Sequence, residues 1–137
     1  MARRLIVDTS VLVASERGRT VLADVIDDDD DLVIAAISVA ELRTGIELAD
    51  ARNRAARIEF LVKILETLPI EPYDLAAAEA HGQLLAHVGA QRGAHDLIIA
   101  ATAVATRRSI LTTDGNARFE ELPGVECIVL PLSSPSG

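Results

Sequence analysis

Asp8, Glu41, Asp96 and Asp114 are the residues whose types and placement point to chemistry. Asp8 closes the apolar run Leu5-Ile6-Val7. Glu41 comes after Val33-Ile34-Ala35-Ala36-Ile37, and Asp114 after Ile110-Leu111-Thr112. Asp96 opens the stretch Leu97-Ile98-Ile99-Ala100-Ala101. Each therefore stands where a short strand ends or a helix begins. In an open parallel sheet covered by helices, the carboxyl ends of the strands form one rim, and ligands bind there. Four carboxylates on one rim cannot all stay ionised without a partner. Hard oxygen ligands suit Mg²⁺ or Mn²⁺. Such a site can hydrolyse a phosphodiester, because a divalent ion activates water, orients it and neutralises the charge that develops. That chemistry needs no nucleophilic Ser or Cys.

Each acid also has a plainer reading. Asp8 suits the N-cap of the helix that follows it. Ser38-Val39-Ala40-Glu41 has the form of a capping box, and in isolation that is the better reading of Glu41. Asp114 can open a turn with Gly115. Asp96 starts the most apolar helix, where a carboxylate needs a dipole, a cap or a cation. Four plain readings together would make the shared placement a coincidence.

The elements that must position these residues alternate. Residues 4–8 read as a buried strand, followed by a helix from Thr9 that Gly18 interrupts and a short helix over 20–26. A strand over 32–35 leads to helices over 38–48 and 50–68, which their amphipathic spacing makes a hairpin. On the second of these, Ile58, Leu61, Val62 and Leu65 are expected to face inward. A brief strand at 69–72 is bounded by prolines, as an edge strand or strand end can be. Asp74 caps an Ala-rich helix to about residue 91. A nearly all-apolar helix over 96–107 is expected at the centre. Then come a strand over 109–112, a short helix over 116–122, a strand over 126–130 and a tail over 131–137. Strands alternating with helices imply an α/β three-layer sandwich with a mostly parallel sheet of about five strands. Residues 1–130 read as a single domain.

At 137 residues the chain is long enough for one real core, and half its residues are hydrophobic. Its apolar stretches are too short to span a bilayer, and no signal-peptide core precedes Asp8. Cys127 is the single cysteine, which excludes an intramolecular disulfide and a cysteine-based zinc cluster. A cytoplasmic location is the expectation. The net charge of −8 runs against the basic surface usual in nucleic-acid binders. Residues 27–31 carry five of the acids in one run, read as a solvated turn, and the rim carries four more. With only Phe60, Tyr73 and Phe119 as aromatics, extensive base stacking is disfavoured. Twelve of the thirteen basic residues are Arg, whose planar fork suits phosphate.

Leu5-Ile6-Val7-Asp8-Thr9-Ser10, Ser38-Val39-Ala40-Glu41-Leu42-Arg43-Thr44-Gly45, His95-Asp96-Leu97-Ile98-Ile99-Ala100-Ala101 and Leu111-Thr112-Thr113-Asp114 resemble the four signature blocks of the PIN domain. Length and the Glu-Leu-Arg-x-Gly block are most similar to the ribonuclease toxins of VapBC toxin–antitoxin pairs. The resemblance runs in order from about residue 4 to about residue 130. It implies a metal-dependent endoribonuclease that cleaves RNA by metal-activated water and acts as a growth-inhibiting toxin. It also implies Mg²⁺, with Mn²⁺ as a substitute, a cognate VapB-like antitoxin laid across the acidic groove, and a homodimer.

By position, Asp8, Glu41, Asp96 and Asp114 become the catalytic and metal-binding acids, with Thr9, Ser10, Thr112 and Asn116 supporting them. The family often has another acid near Asn116, so Asn there lowers the site's negative charge. His95 stands where the family often has Asn, and becomes a candidate substrate contact. Arg43, Arg52, Arg54 and Arg57 on the helical hairpin read either as a solvated face with i,i+4 pairs or as a track for the RNA backbone. Arg92 is a further candidate for phosphate. The alternative within the same fold is a PIN-like module without catalysis that binds RNA or protein. A receiver-type phosphotransfer protein is disfavoured because Thr9 and Ser10, not a second Asp, follow Asp8. A dinucleotide enzyme is disfavoured because no Gly-rich turn follows the first strand.

Overall fold

The computed structural model describes residues 2–20, 22–88 and 93–132. Five strands form one parallel sheet: β1 (Arg4–Val7), β2 (Asp31–Ala35), β3 (Ile70–Glu71), β4 (Ser109–Thr112) and β5 (Cys127–Val129), in the order β3-β2-β1-β4-β5. The helices are α1 (Thr9–Glu16), α2 (Ala36–Leu48), α3 (Ala51–Thr67), α4 (Leu75–Val88) and α5 (Ala94–Thr106).

Strand periodicity builds the two cores. Leu5 and Val7 of β1, with Leu32 and Ile34 of β2, face one side, where α1 and the α2–α3 hairpin cover them. Ile6, Val33 and Ile110 face the other side, under α4 and α5. Burying each such side chain contributes about 1.5–3 kcal/mol. The expected three-layer α/β sandwich is thus observed, and its sheet is parallel throughout.

The order of the strands places the site. The chain steps outward from β1 to β2 to β3, then crosses back to β4 on the other flank of β1. The gap between β1 and β4 is therefore the switch point at which ligands bind in open α/β sheets. Val7 pairs in register with Leu111, so Asp8 and Thr112 emerge side by side at the rim.

Five expectations are corrected. The helix over 20–26 reduces to one 3-10 turn at Leu22–Asp24 among the described residues. The helix over 116–122 is two 3-10 turns, Gly115–Ala117 and Phe119–Glu121, broken at Arg118 with φ 50°. On α3, Leu61 is buried and Phe60 and Ile64 pack on the core, whereas Ile58, Val62 and Leu65 are exposed. Apolar residues surround more than half of that helix, so spacing alone did not fix its inward face. Finally, β2 runs directly into α2, so Ser38 already lies inside the helix and cannot cap it. The reading of the acidic run as a solvated turn also changes: Asp30 and Asp31 are paired with arginines. Gly89 to Arg92 and residues 133–137 lie outside the described residues, and with them the expectations for Arg92 and most of the tail.

Candidate active site

Asp8 occupies the N-cap position of α1 but makes no side-chain capping bond there. Its carboxylate turns instead toward β4. Ser10 Oγ and Thr112 Oγ1 each donate to Asp8 Oδ2 at 2.8 Å. The two hydroxyls stand 3.2 Å apart. Ser10 Oγ also accepts from the Thr113 amide at 3.1 Å, and Thr112 Oγ1 from the Asp114 amide at 3.0 Å. Both hydroxyls meet the same oxygen, so Oδ1 is left out of this lock. Asp8 is only 5% exposed. Burial pushes its carboxyl above the usual carboxylate range, the bonds from Thr112, Ser10 and the Thr9 backbone pull it back, and the charge of Glu41 adds to the rise.

Glu41 is positioned from α1. Thr9 Oγ1 donates to Glu41 Oε1 at 3.0 Å and is hydrogen-bonded to Ser38 Oγ at 2.9 Å. The capping-box reading therefore gives way to a buried hydroxyl pair that ties two helices together and steers Glu41. His95 Nδ1 lies 3.5 Å from Glu41 Oε2. Asp96 stands in the first turn of α5, where the helix dipole favours a negative charge. Asp114 does open a turn, its Oδ1 accepting from the Asn116 amide at 3.0 Å.

Asp8, Glu41, Asp96 and Asp114 line one cavity of about 380 Å³, together with Thr9 and Ser10. Thr112 contributes from below, through Asp8. The Asn116 contact recorded here is made by its backbone. Among the described residues, the acids whose ligand oxygens lie mutually within 4.8 Å are Asp27, Asp29 and Asp30 in the surface turn. That trio is the weaker candidate for a metal, because Arg3 already holds Asp30 at 2.6 Å. The cavity offers a buried carboxylate with a raised pKa and further carboxylates around it. Such an all-oxygen donor set fits a hard divalent cation.

The hairpin arginines are engaged differently from one another. Arg43 pairs with Glu47 at 2.7 Å, one turn along α2. Arg54 donates to the carbonyls of Ile46 and Glu47, and Arg57 to that of Gly45 at 2.8 Å. These last two close the carboxyl end of α2, where cations are favoured. Arg52 is exposed on α3.

Two cavity residues escaped the sequence reading. Arg17 and Arg19 both line the acidic cavity. They flank Gly18, whose φ of 71° ends α1: the Gly18 amide donates to Ser15 O, and the Arg19 amide to Ala14 O. This is the left-handed helix stop that glycine favours. A helix-end glycine between two arginines, about two turns past the Asp8 block, was the available signal.

A profile of the PIN domain matches residues 5–125. The chain is 30% identical over 132 residues to Ribonuclease VapC of Rickettsia bellii, covering 93% of this chain and 97% of that one. It is 32% identical over 127 residues to Ribonuclease VapC5 of Mycobacterium tuberculosis, covering 90% of each. Among solved structures it is similar to VapBC-5 of M. tuberculosis, a member of the VapBC family of toxin–antitoxin systems, with TM-score 0.74, 27% identity and 93% and 98% of the two chains covered. The fold is also shared with VapBC2 of Rickettsia felis, solved with a DNA fragment from its promoter, at TM-score 0.81 and 19% identity over 93% and 98% of the two chains.

Proposed function

The chain belongs to the PIN-domain family, and on that premise we propose that it is a metal-dependent endoribonuclease, the toxin of a toxin–antitoxin pair. The observation that carries this reading is the convergence of Asp8, Glu41, Asp96 and Asp114 on one cavity at the switch point of the sheet. The similarity to VapC ribonucleases along nearly the whole chain supports the substrate class.

Asp8, Glu41, Asp96 and Asp114 would hold Mg²⁺, or Mn²⁺ in its place. The bound ion supplies water activation and neutralises charge as the phosphodiester is cut. The chain's own residues prepare the site. Ser10 and Thr112 hold Asp8 in place through one of its oxygens. Thr9 holds Glu41 against the same cavity. His95, beside Glu41, remains a candidate substrate contact in this reading. Arg52, and Arg92 beyond the described residues, remain candidates for the RNA backbone. Arg43, Arg54 and Arg57 could add to that track only alongside their contacts within the hairpin.

The partners in this reading are RNA, a VapB-like antitoxin and a second copy of the chain. The VapBC complexes to which the fold is similar support the antitoxin. No helix among the described residues is long and apolar enough to cross a membrane, and a cytoplasmic site of action is part of the proposal. The test is cleavage of structured RNA by the purified chain with Mg²⁺ or Mn²⁺, and its loss in EDTA. Full activity in excess chelator would overturn the metal mechanism.

A further inference from the structure

A second cavity, of about 270 Å³, adjoins the acidic one and shares Thr9, Val13, Arg17 and Glu41 with it. Arg17 stands on the boundary between the two. Its backbone is the C-cap of α1, fixed by the turn at Gly18, and its side chain is exposed. Among the described residues no carboxylate forms an ion pair with it, unlike Arg43, which Glu47 holds.

The walls of the second cavity have a mixed chemistry. Val13, Leu42 and the half-buried Phe60 give it apolar surface. Arg57 lines it too, anchored by one donor on Gly45 O, and a guanidinium has five N–H donors in all. Glu16 adds an acceptor to the lining. An aromatic face, guanidinium groups and one carboxylate are what a single unstacked base meets in RNA recognition: stacking on rings or guanidinium planes, with hydrogen bonds to its edge. The volume lies just below that of ordinary small-molecule sites, roughly 300–1,000 Å³.

We propose that this cavity is the subsite for the nucleotide adjoining the cleaved phosphodiester, with its base against Phe60 and Leu42 and its phosphate held by Arg17. The proposal rests on the endoribonuclease reading and adds to it a neighbouring-nucleotide contact outside the acidic cavity. Gly45 provides an independent handle. A Cβ built there would lie 3.8 Å from Arg57 Nη1, so a longer side chain would enter the cavity. A helix interior accepts Leu more readily than Gly, so the substitution does not work against α2.

The test uses the purified full chain and a fluorescein-labelled ribo-oligonucleotide whose cut site has been mapped. Copies carry an abasic ribose on one side of the cut or on the other. Loss of the base on the proposed side should lower kcat/KM roughly 5- to 150-fold, the range of one stacked base, mostly through KM. Arg17→Gln and Gly45→Leu should each weaken cleavage of the intact oligonucleotide. In Gly45→Leu the abasic change should then cost little more, because both remove the same contact. Thermal melts of both variants control for folding. The proposal is overturned if both well-folded variants cleave like the wild type, or if the abasic penalty persists undiminished in Gly45→Leu. It is also overturned if the variants change only the release of a bound antitoxin, which would assign the cavity to protein. A wild-type chain that cuts no RNA with either metal would sink the endoribonuclease reading itself, whereas an active wild type with indifferent variants sinks the subsite alone.

Discussion

Two acidic regions of this molecule have similar composition and opposite electrostatics. In the turn over residues 27–31, the charge is answered from within the chain. Arg3 reaches Asp30 at 2.6 Å, Arg4 reaches Asp31 at 3.1 Å, and Arg108 reaches Asp31 at 3.0 Å. The Arg3 guanidinium, with the Asp27 amide, holds the Asp30 carboxyl down at about 2. At the rim of the sheet, Asp8 is buried, and the side chains bonded to it are hydroxyls instead of cations. Burial and Glu41 push its carboxyl up. Density of carboxylates therefore does not mark the site. The turn has the tighter cluster, yet its charges already serve to tie β1 and β2 together. What distinguishes the rim is a buried carboxylate, Asp8, whose side-chain partners are hydroxyls and not guanidinium groups.

The largest expected effect separates the regions by activity. Asp8→Asn should reduce RNA cleavage on the order of 10²-fold or more, since metal stabilisation of the developing charge is worth several kcal/mol and each tenfold is about 1.36 kcal/mol. Its fold should persist, because the Asn side-chain oxygen can still accept from Ser10 and Thr112. Asp30→Asn should cleave at the wild-type rate. Equal loss of cleavage in the two variants, measured on one RNA, would erase the distinction.

A second contrast lies in metal binding. A ligand that binds only the folded state stabilises it, by about 2.7 kcal/mol at a hundred times its Kd. Mn²⁺ or Mg²⁺ at that concentration should raise the melting temperature of the wild type and of Asp30→Asn. Asp8→Asn should lose most of the rise. If Asp30→Asn lost it instead, the ion would belong to the surface turn.

The comparison also shows which parts were legible in the sequence. Alternating strands and helices gave the three layers, because β1, β2 and β4 are short, apolar and followed by helices. The four rim acids were legible because each lies within a few residues of such a run. Roles set by tertiary contact were not. Ser38 and Glu41 have capping-box spacing, but the direct passage from β2 to α2 puts Ser38 inside the helix, against Thr9. Arg54 and Arg57 read as surface cations, yet they bond carbonyls at the end of α2, an arrangement that depends on how the hairpin folds back. Arg17 and Arg19 reach the cavity through the left-handed turn at Gly18, which local pattern marks only as a stop.

Thr112→Val probes the hydroxyl lock at nearly constant side-chain shape. It removes the bond to Asp8 Oδ2 and leaves the Asp114 amide without that acceptor. Loss of a residue that orients a metal ligand typically costs 10- to 100-fold in metal affinity or activity. Metal titration followed by cleavage should therefore show a higher metal requirement. An unchanged requirement would mean that the ligand needs no orientation from β4.

The smallest effect is the difference in how stability responds to pH, and its sign separates the regions most directly. Asp8 has a folded-state pKa above its unfolded value. Its ionisation thus opposes folding: the relative stability seen at low pH is lost as pH rises through the folded pKa. Metal-free Asp8→Asn should consequently be more stable than wild type at neutral pH, and the gain should shrink as pH falls through that raised pKa. Asp30 behaves in the opposite sense. Its pKa falls from 3.8 to about 2 on folding, so its contribution is present above the unfolded value and fades as pH drops toward 2. Asp30→Asn should be less stable than wild type at neutral pH, and that deficit should close only in strong acid. The Arg3 side of the Asp30 pair is partly exposed, so added salt should shrink its deficit, while the gain of the buried Asp8 variant should respond less. Chemical denaturation of the three chains across pH, at low and high salt, measures all of this. Two differences of the same sign at neutral pH would show that the rim and the turn are not electrostatic opposites.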